Sequence, residues 1–112
     1  MTQFAATFSN GQTITRNSDN AYAFAWAIVR IADGKVEDSG FSADRANAAK
    51  AAQTRLWSGI SARDRKNPAI RRFHADLAKK RGFATLAAFY ADAEASAAAH
   101  NAARRVEIVP VN

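Results

Sequence analysis

The chain has 112 residues, with 16 Lys and Arg against 10 Asp and Glu, a net charge of +6. That length suits one domain, and a hydrophobic fraction of 48% supports a core, though a thin one because alanine supplies so much of it. The absence of cysteine excludes disulfides, thiolate metal sites and cysteine nucleophiles.

Met1-Thr2-Gln3-Phe4 has neither the basic start nor the apolar run of a signal peptide. No stretch reaches the roughly 20 apolar residues that cross a bilayer. The expectation is a cytoplasmic protein with no membrane partner, organised as a single compact domain over 1–112. Its strand-rich part would cover 3–41, its helical part 42–105, and an edge strand 106–111.

Phe4, Ala6 and Phe8 alternate with Gln3, Ala5 and Thr7, the period of a half-buried strand. Asn10-Gly11 suits a tight hairpin, and Thr13 to Arg16 reads as its return arm. After a polar turn at 17–20, Tyr22, Phe24, Trp26 and Ile28 alternate strictly with Ala21, Ala23, Ala25 and Ala27. A strand with one bulky face and one flat face has this pattern. The flat face of Ala23, Ala25 and Ala27 suits close packing within the core or against a second chain. Ser18 capping a short helix over 19–25 is the alternative. Asp33-Gly34 marks a second hairpin, with Val36 to Phe41 returning.

Ser42, followed by Asp44, starts a helix that runs to about Trp57 with Ala49, Ala52 and Leu56 inward, and Gly59 stops it. Ser61 and Asp64 can start a short turn. Asn67-Pro68 opens the next helix, which ends at Gly82. Ile70, Phe73, His74 and Leu77 would line its inner side, with Arg71, Arg72 and Lys79 on the solvent side. A last helix over 85–104 would turn Leu86, Phe89, Tyr90, Ala93 and Ala97 inward. Val106 to Val111 alternates again, and Pro110 is tolerated only at a sheet edge. The fold class is therefore α+β: an antiparallel sheet of three to five strands with about three helices packed around it.

Chemistry concentrates in one place. Between residues 63 and 81 stand Arg63, Arg65, Lys66, Arg71, Arg72, Lys79, Lys80 and Arg81, opposed only by Asp64 and Asp76. This segment carries the entire net charge, and the remainder is balanced at eight basic and eight acidic side chains. Such a concentration raises encounter rate and affinity for phosphates or acidic surfaces. These eight residues are the candidate partner-binding set. Catalysis finds little support: His74 and His100 lack zinc-site spacing, and Asp92 and Glu94 point to different faces of a helix. No glycine-rich phosphate loop or nucleophile elbow is present. The reading is a non-enzymatic protein with no cofactor. Tyr22, Phe24 and Trp26 fit a core stripe, with a base-stacking platform as the second reading.

Two resemblances bear on this. The order strand, strand, strand, helix over residues 4–57 is similar to the phage-integrase arm-binding domain and the plant ethylene-response-factor domain. The likeness is carried by Trp26-Ala-Ile, Asp33-Gly34 and Gly40-Phe41-Ser42 running into Ala-Asp-Arg-Ala-Asn-Ala-Ala-Lys. In those families the sheet lies in the DNA major groove, so the resemblance implies DNA contact. Ala-Thr-Phe-Ser-Asn-Gly-Gln-Thr-Ile-Thr-Arg-Asn-Ser (6–18), Gly-Phe-Ser (40–42) and Asn-Ala-Ala-Lys-Ala-Ala (47–52) resemble small uncharacterised proteins of phages and plasmids. That second likeness covers about half the chain. It implies an origin in a mobile element and an anti-defence inhibitor of anti-CRISPR type, whose partner is a host defence protein or ribonucleoprotein complex. The alternative is an accessory protein that binds DNA or RNA directly.

Overall fold

A computed structural model describes residues 1–57 and 59–112. It is an α+β fold with five strands and four helices among the described residues. Cα packing divides it into two compact units, residues 1–56 with 102–112, and residues 57–101.

In the first unit, strands β1 (Thr2–Thr7) and β2 (Thr13–Ser18) form an antiparallel hairpin with Phe4 opposite Arg16 and Ala6 opposite Ile14. Strands β3 (Phe24–Arg30), β4 (Val36–Ser42) and β5 (Arg104–Pro110) form a separate antiparallel sheet in the order β4-β3-β5. The strands expected in one sheet are thus split between two. Local alternation sets where a strand lies; long-range pairing sets which sheet it joins. Pro110 ends the edge strand β5, where a missing N–H costs no ladder bond.

The first hairpin turns differently from expectation. Gly11 has φ +87°, but Asn10 does not adopt positive φ, so the connection is a longer loop with glycine in the left-handed position. Gly11 N–H donates to the Phe8 carbonyl and Phe8 N–H to the Gln12 carbonyl. Residues 19–23 form neither helix nor strand, and β3 begins only at Phe24.

β3 is buried on both faces. Ala25, Ala27 and Val29 pack with Ala6 and Phe8 of the hairpin layer, and Ile14, Val36, Phe41 and Val109 close the edges. Trp26 and Ile28 point the other way, into helix α1 (Arg45–Arg55) at Ala48 and Ala52, with Leu56 beside them. The flat alanine face is therefore covered within the chain. α1 is capped by Asp44, whose carboxylate accepts from Asn47 N–H at 2.7 Å; Ser42 ends β4 instead. With the start moved two residues on, Ala48 and Ala52 are the buried pair and Ala49 only half-buried. The hairpin is tied along its β1 side. Asn112 N–H donates to the Ala5 carbonyl at 2.9 Å, and Glu107 accepts from the Ser9 amide and hydroxyl.

Trp26 is 4% exposed and fills the space between sheet and α1. Trp26→Ala should cost about 3–5 kcal/mol, read as a lower denaturant midpoint. In the second hairpin, Arg30 and then the Lys35 amide hydrogen-bond Asp33 and lower its carboxyl from the usual 3.8 to about 2. A depressed value in the folded state means the contact contributes fully above pH 3.8 and is lost as pH falls toward 2. Carboxyl titration by NMR should place Asp33 near that value, and Arg30→Ala should move it upward.

Candidate partner-binding surface

The second unit is a helical hairpin preceded by a short turn of helix, α2 (Ala62–Lys66). Ser61 caps α2 by accepting from Asp64 N–H at 3.1 Å. Asn67 caps α3 (Pro68–Lys80) by accepting from Ala69 and Ile70, with Pro68 at the position where no N–H is needed. α3 ends at a left-handed glycine, Gly82 with φ +82°. Its N–H donates to Lys79, and Phe83 N–H reaches back to Ala78, the paired bonds of a Schellman stop. Phe83 then folds into a core of Ala78, Phe89 and Tyr90 with Ile60, Leu77 and Leu86. Phe89 and Tyr90 belong to α4 (Leu86–Ala102), whose first turn is capped by Thr85 accepting from Ala88 N–H at 3.1 Å.

The eight cations do not share one environment. Arg65 is an internal brace. Its guanidinium meets Glu94 at 2.6 Å, lies 4.9 Å from the Tyr90 ring centre and donates from Nε to the Ile60 carbonyl. It joins α2 to α4 and is removed from the free charge. Arg63, Lys66, Arg71, Arg72, Lys79, Lys80 and Arg81 are exposed, and none forms an ion pair among the described residues. Arg71 also donates to the Arg65 carbonyl, which steadies its stem.

At about 100° per residue, Arg72 and Lys79 stand one above the other, Lys80 lies about 100° round from Lys79, and Arg71 flanks them. Asp76 falls inside this arc, four residues from both Arg72 and Lys80. Lys79, Lys80 and Arg81 also sit where cations offset the negative end of the α3 dipole.

Phe73 departs from expectation. It is 63% exposed and belongs to the cationic side, not the packed one. Ile70, His74, Leu77 and Ala78 already fill the inward arc, and Phe73 stands about 100° round from His74. Sequence reasoning missed it as a surface residue because apolar character alone assigns a helical Phe inward. The signal that finds it is its spacing of seven from Lys80. On the opposite flank of α3, Ala75, Ala78, Lys79, Phe83, Ala84, Thr85 and Leu86 enclose a dent of about 120 Å³, well under the volume of a small-molecule site but enough for one apolar side chain.

His74 is half-buried, with Nδ1 at 3.1 Å from the Tyr90 hydroxyl and its ring beside Phe89. His100 stacks edge-on to Trp57. No group of three or more potential metal ligands occurs among the described residues. In the first unit, Trp26 lies inside the core and Phe24 is half-buried beneath Arg45, which leaves no exposed aromatic platform. Sequence reasoning also passed over a groove lined by Ile14, Thr15, Arg16, Ser39, Gly40 and Phe41. No helix among the described residues is long and apolar enough to cross a membrane.

Arg65 and Arg72 therefore respond differently to truncation. Arg65→Ala should cost about 1–2 kcal/mol through loss of the Glu94 pair and the Tyr90 contact. Arg72→Ala should stay within about 0.5 kcal/mol of the parent in the same urea melts. No protein-family model, curated protein or solved structure matches this chain.

Proposed function

We propose that this is a non-catalytic binding protein of a phage or other mobile element. It acts as an anti-defence inhibitor by docking α2 and α3 onto an acidic surface of a nucleic-acid-handling complex. One observation carries the reading: seven exposed cations without acidic partners among the described residues lie on a single 19-residue segment together with exposed Phe73.

An exposed apolar ring beside arginine has the composition of a protein-binding hot spot. Asp76 favours the same reading, since a carboxylate inside the arc repels phosphate yet meets a basic residue on a mixed protein surface. The dent beside Lys79 adds a socket for an apolar side chain of the partner. Direct binding of DNA or RNA is the second reading, favoured by the seven exposed cations between Arg63 and Arg81. Six phosphate contacts would give a salt slope of about −5 in log–log terms.

The two readings separate on immobilised protein challenged with host lysate, with and without nuclease. The inhibitor reading expects a protein complex that survives nuclease. That complex is lost both when Arg71, Arg72, Lys79 and Lys80 are all changed to Glu and in Phe73→Ala, with thermal midpoints nearly unchanged. Capture abolished by nuclease, together with a salt-sensitive shift of labelled duplex, moves the assignment to nucleic acid. Full capture by the quadruple variant defeats both.

A further inference from the structure

The strand-rich unit carries a second site, unconnected with the cationic helix. Along the β1 side, the hairpin is stitched to the other sheet by Asn112, Ser9 and Glu107. The other side is open. Among the described residues β2 pairs only with β1, and β4 only with β3, so each presents one unpaired edge. Between these edges lies a groove of about 340 Å³, walled by Ile14, Thr15 and Arg16 on β2 and by Ser39, Gly40 and Phe41 on β4.

Natural proteins usually blunt such edges with proline, bulges or lysine. Here β5 ends in Pro110, and the start of β4 carries a register shift opposite Ile28 and Val29. The stretch of β4 that lines the groove lies beyond that irregularity and pairs regularly with β3. β2 has regular pairing and no proline. Charge is the remaining guard at the groove: on β4 the Asp38 carboxylate accepts from the Ser39 N–H at 2.9 Å, and on β2 stands Arg16.

Its chemistry narrows the occupant. Hairpin register puts Arg16 on the same face as Phe4 and Ile14, the face turned toward the other sheet. Its guanidinium lies 5.4 Å from the Tyr22 ring centre, which fixes its position, and it has no ion pair among the described residues. Tyr22 in turn packs against Phe4 and Phe41. Hydrogen bonds to Ser18 and Asn20, and then Arg16, lower the Tyr22 phenol below its ordinary value. Arg16 is the one charged side chain lining the groove, beside apolar Ile14 and Phe41 and the hydroxyls of Thr15 and Ser39.

We propose that this groove takes an extended acidic peptide segment of a partner protein, added as a strand between β2 and β4. Its backbone would pair with β2 and with the part of the β4 edge that the Asp38 carboxylate leaves open, an apolar residue would enter over Ile14 and Phe41, and a neighbouring carboxylate would meet Arg16. Main-chain bonds then give affinity and alternate side chains give selectivity, the division of labour seen wherever a strand augments a sheet.

The test uses the full chain and the fluorescent probe peptide acetyl-Val-Glu-Val-Glu-Val-amide, followed by anisotropy. Two control peptides carry Lys for Glu or a central Pro. The acidic peptide should saturate, the basic one should bind at least about tenfold more weakly, and the proline one should not bind. Arg16→Glu should reverse the preference between the acidic and basic peptides, and amide shifts on titration should map to residues 13–18 and 39–42. Five results overturn the proposal, the first four by titration. They are no saturation by the acidic peptide up to about 1 mM, unchanged preference in Arg16→Glu, amide shifts confined to other segments, and displacement of the peptide by a short oligothymidine of equal charge. Sedimentation showing the same edges occupied by a second copy of the chain also overturns it.

Discussion

Trp26 and Gly40 oppose each other across β3 and β4, and the indole occupies the space that a side chain on residue 40 would need. A Cβ at Gly40 would lie 2.7 Å from the indole nitrogen, closer than real atoms approach. Because Trp26 lies down over a glycine, its ring presents a low surface, and α1 settles on it through Ala48 and Ala52. On the reverse face, Ala25 and Ala27 are as flat as side chains allow, so the hairpin can approach through Ala6 and Phe8. A slip of one residue in β3 would send Trp26 toward the hairpin and an alanine toward α1, leaving a clash on one face and a void on the other. The register of this strand therefore fixes both layers at once. It also places Phe41, opposite Ala25, at the lip of the groove.

The two units handle charge in opposite ways. In the strand-rich unit, Arg30, Arg55, Arg104 and Arg105 are engaged by Asp33, Asp38, Glu37 and Glu107, so half of its eight cations are answered locally. In the helical unit, among the described residues, only Arg65 is answered, by Glu94. Exposed pairs contribute little to stability, so this asymmetry is weakly explained by folding. Its physical consequence is a field: unpaired cations on a short helical segment act together beyond their contact distance, whereas paired ones cancel within it.

Much of this architecture was legible in the chain. The large-small alternation from Tyr22 to Ile28 located β3, Asp33-Gly34 and Gly82 marked a turn and a stop, and Asn67-Pro68 opened α3 at the expected residue. What stayed hidden depends on partners far away in sequence. Arg65 looked like the other cations because its brace, Glu94, lies 29 positions on. Nothing near β1 and β2 says that they stand apart from β3. The cap of α1 was misplaced because Ser42 and Asp44 are both good caps, and only pairing of Ser42 with Phe24 in the ladder removes it from contention. Phe73 was assigned inward because a helical period leaves its flank ambiguous, and packing of α4 alone decides which flank is covered.

The groove of the strand-rich unit shows the same dependence on long-range pairing. Arg16 follows the alternation of β2 and belongs on the side where a core would ordinarily forbid a charge. It is tolerated because β2 has no second neighbour, so the guanidinium rests against Tyr22 at an open rim and remains hydrated. Had β2 and β4 joined, the sheets would have closed and the cation would have been driven out or paired. An unclosed sheet and an inward-facing arginine are therefore two aspects of one arrangement. It leaves backbone donors, acceptors and a positive charge facing the same narrow space.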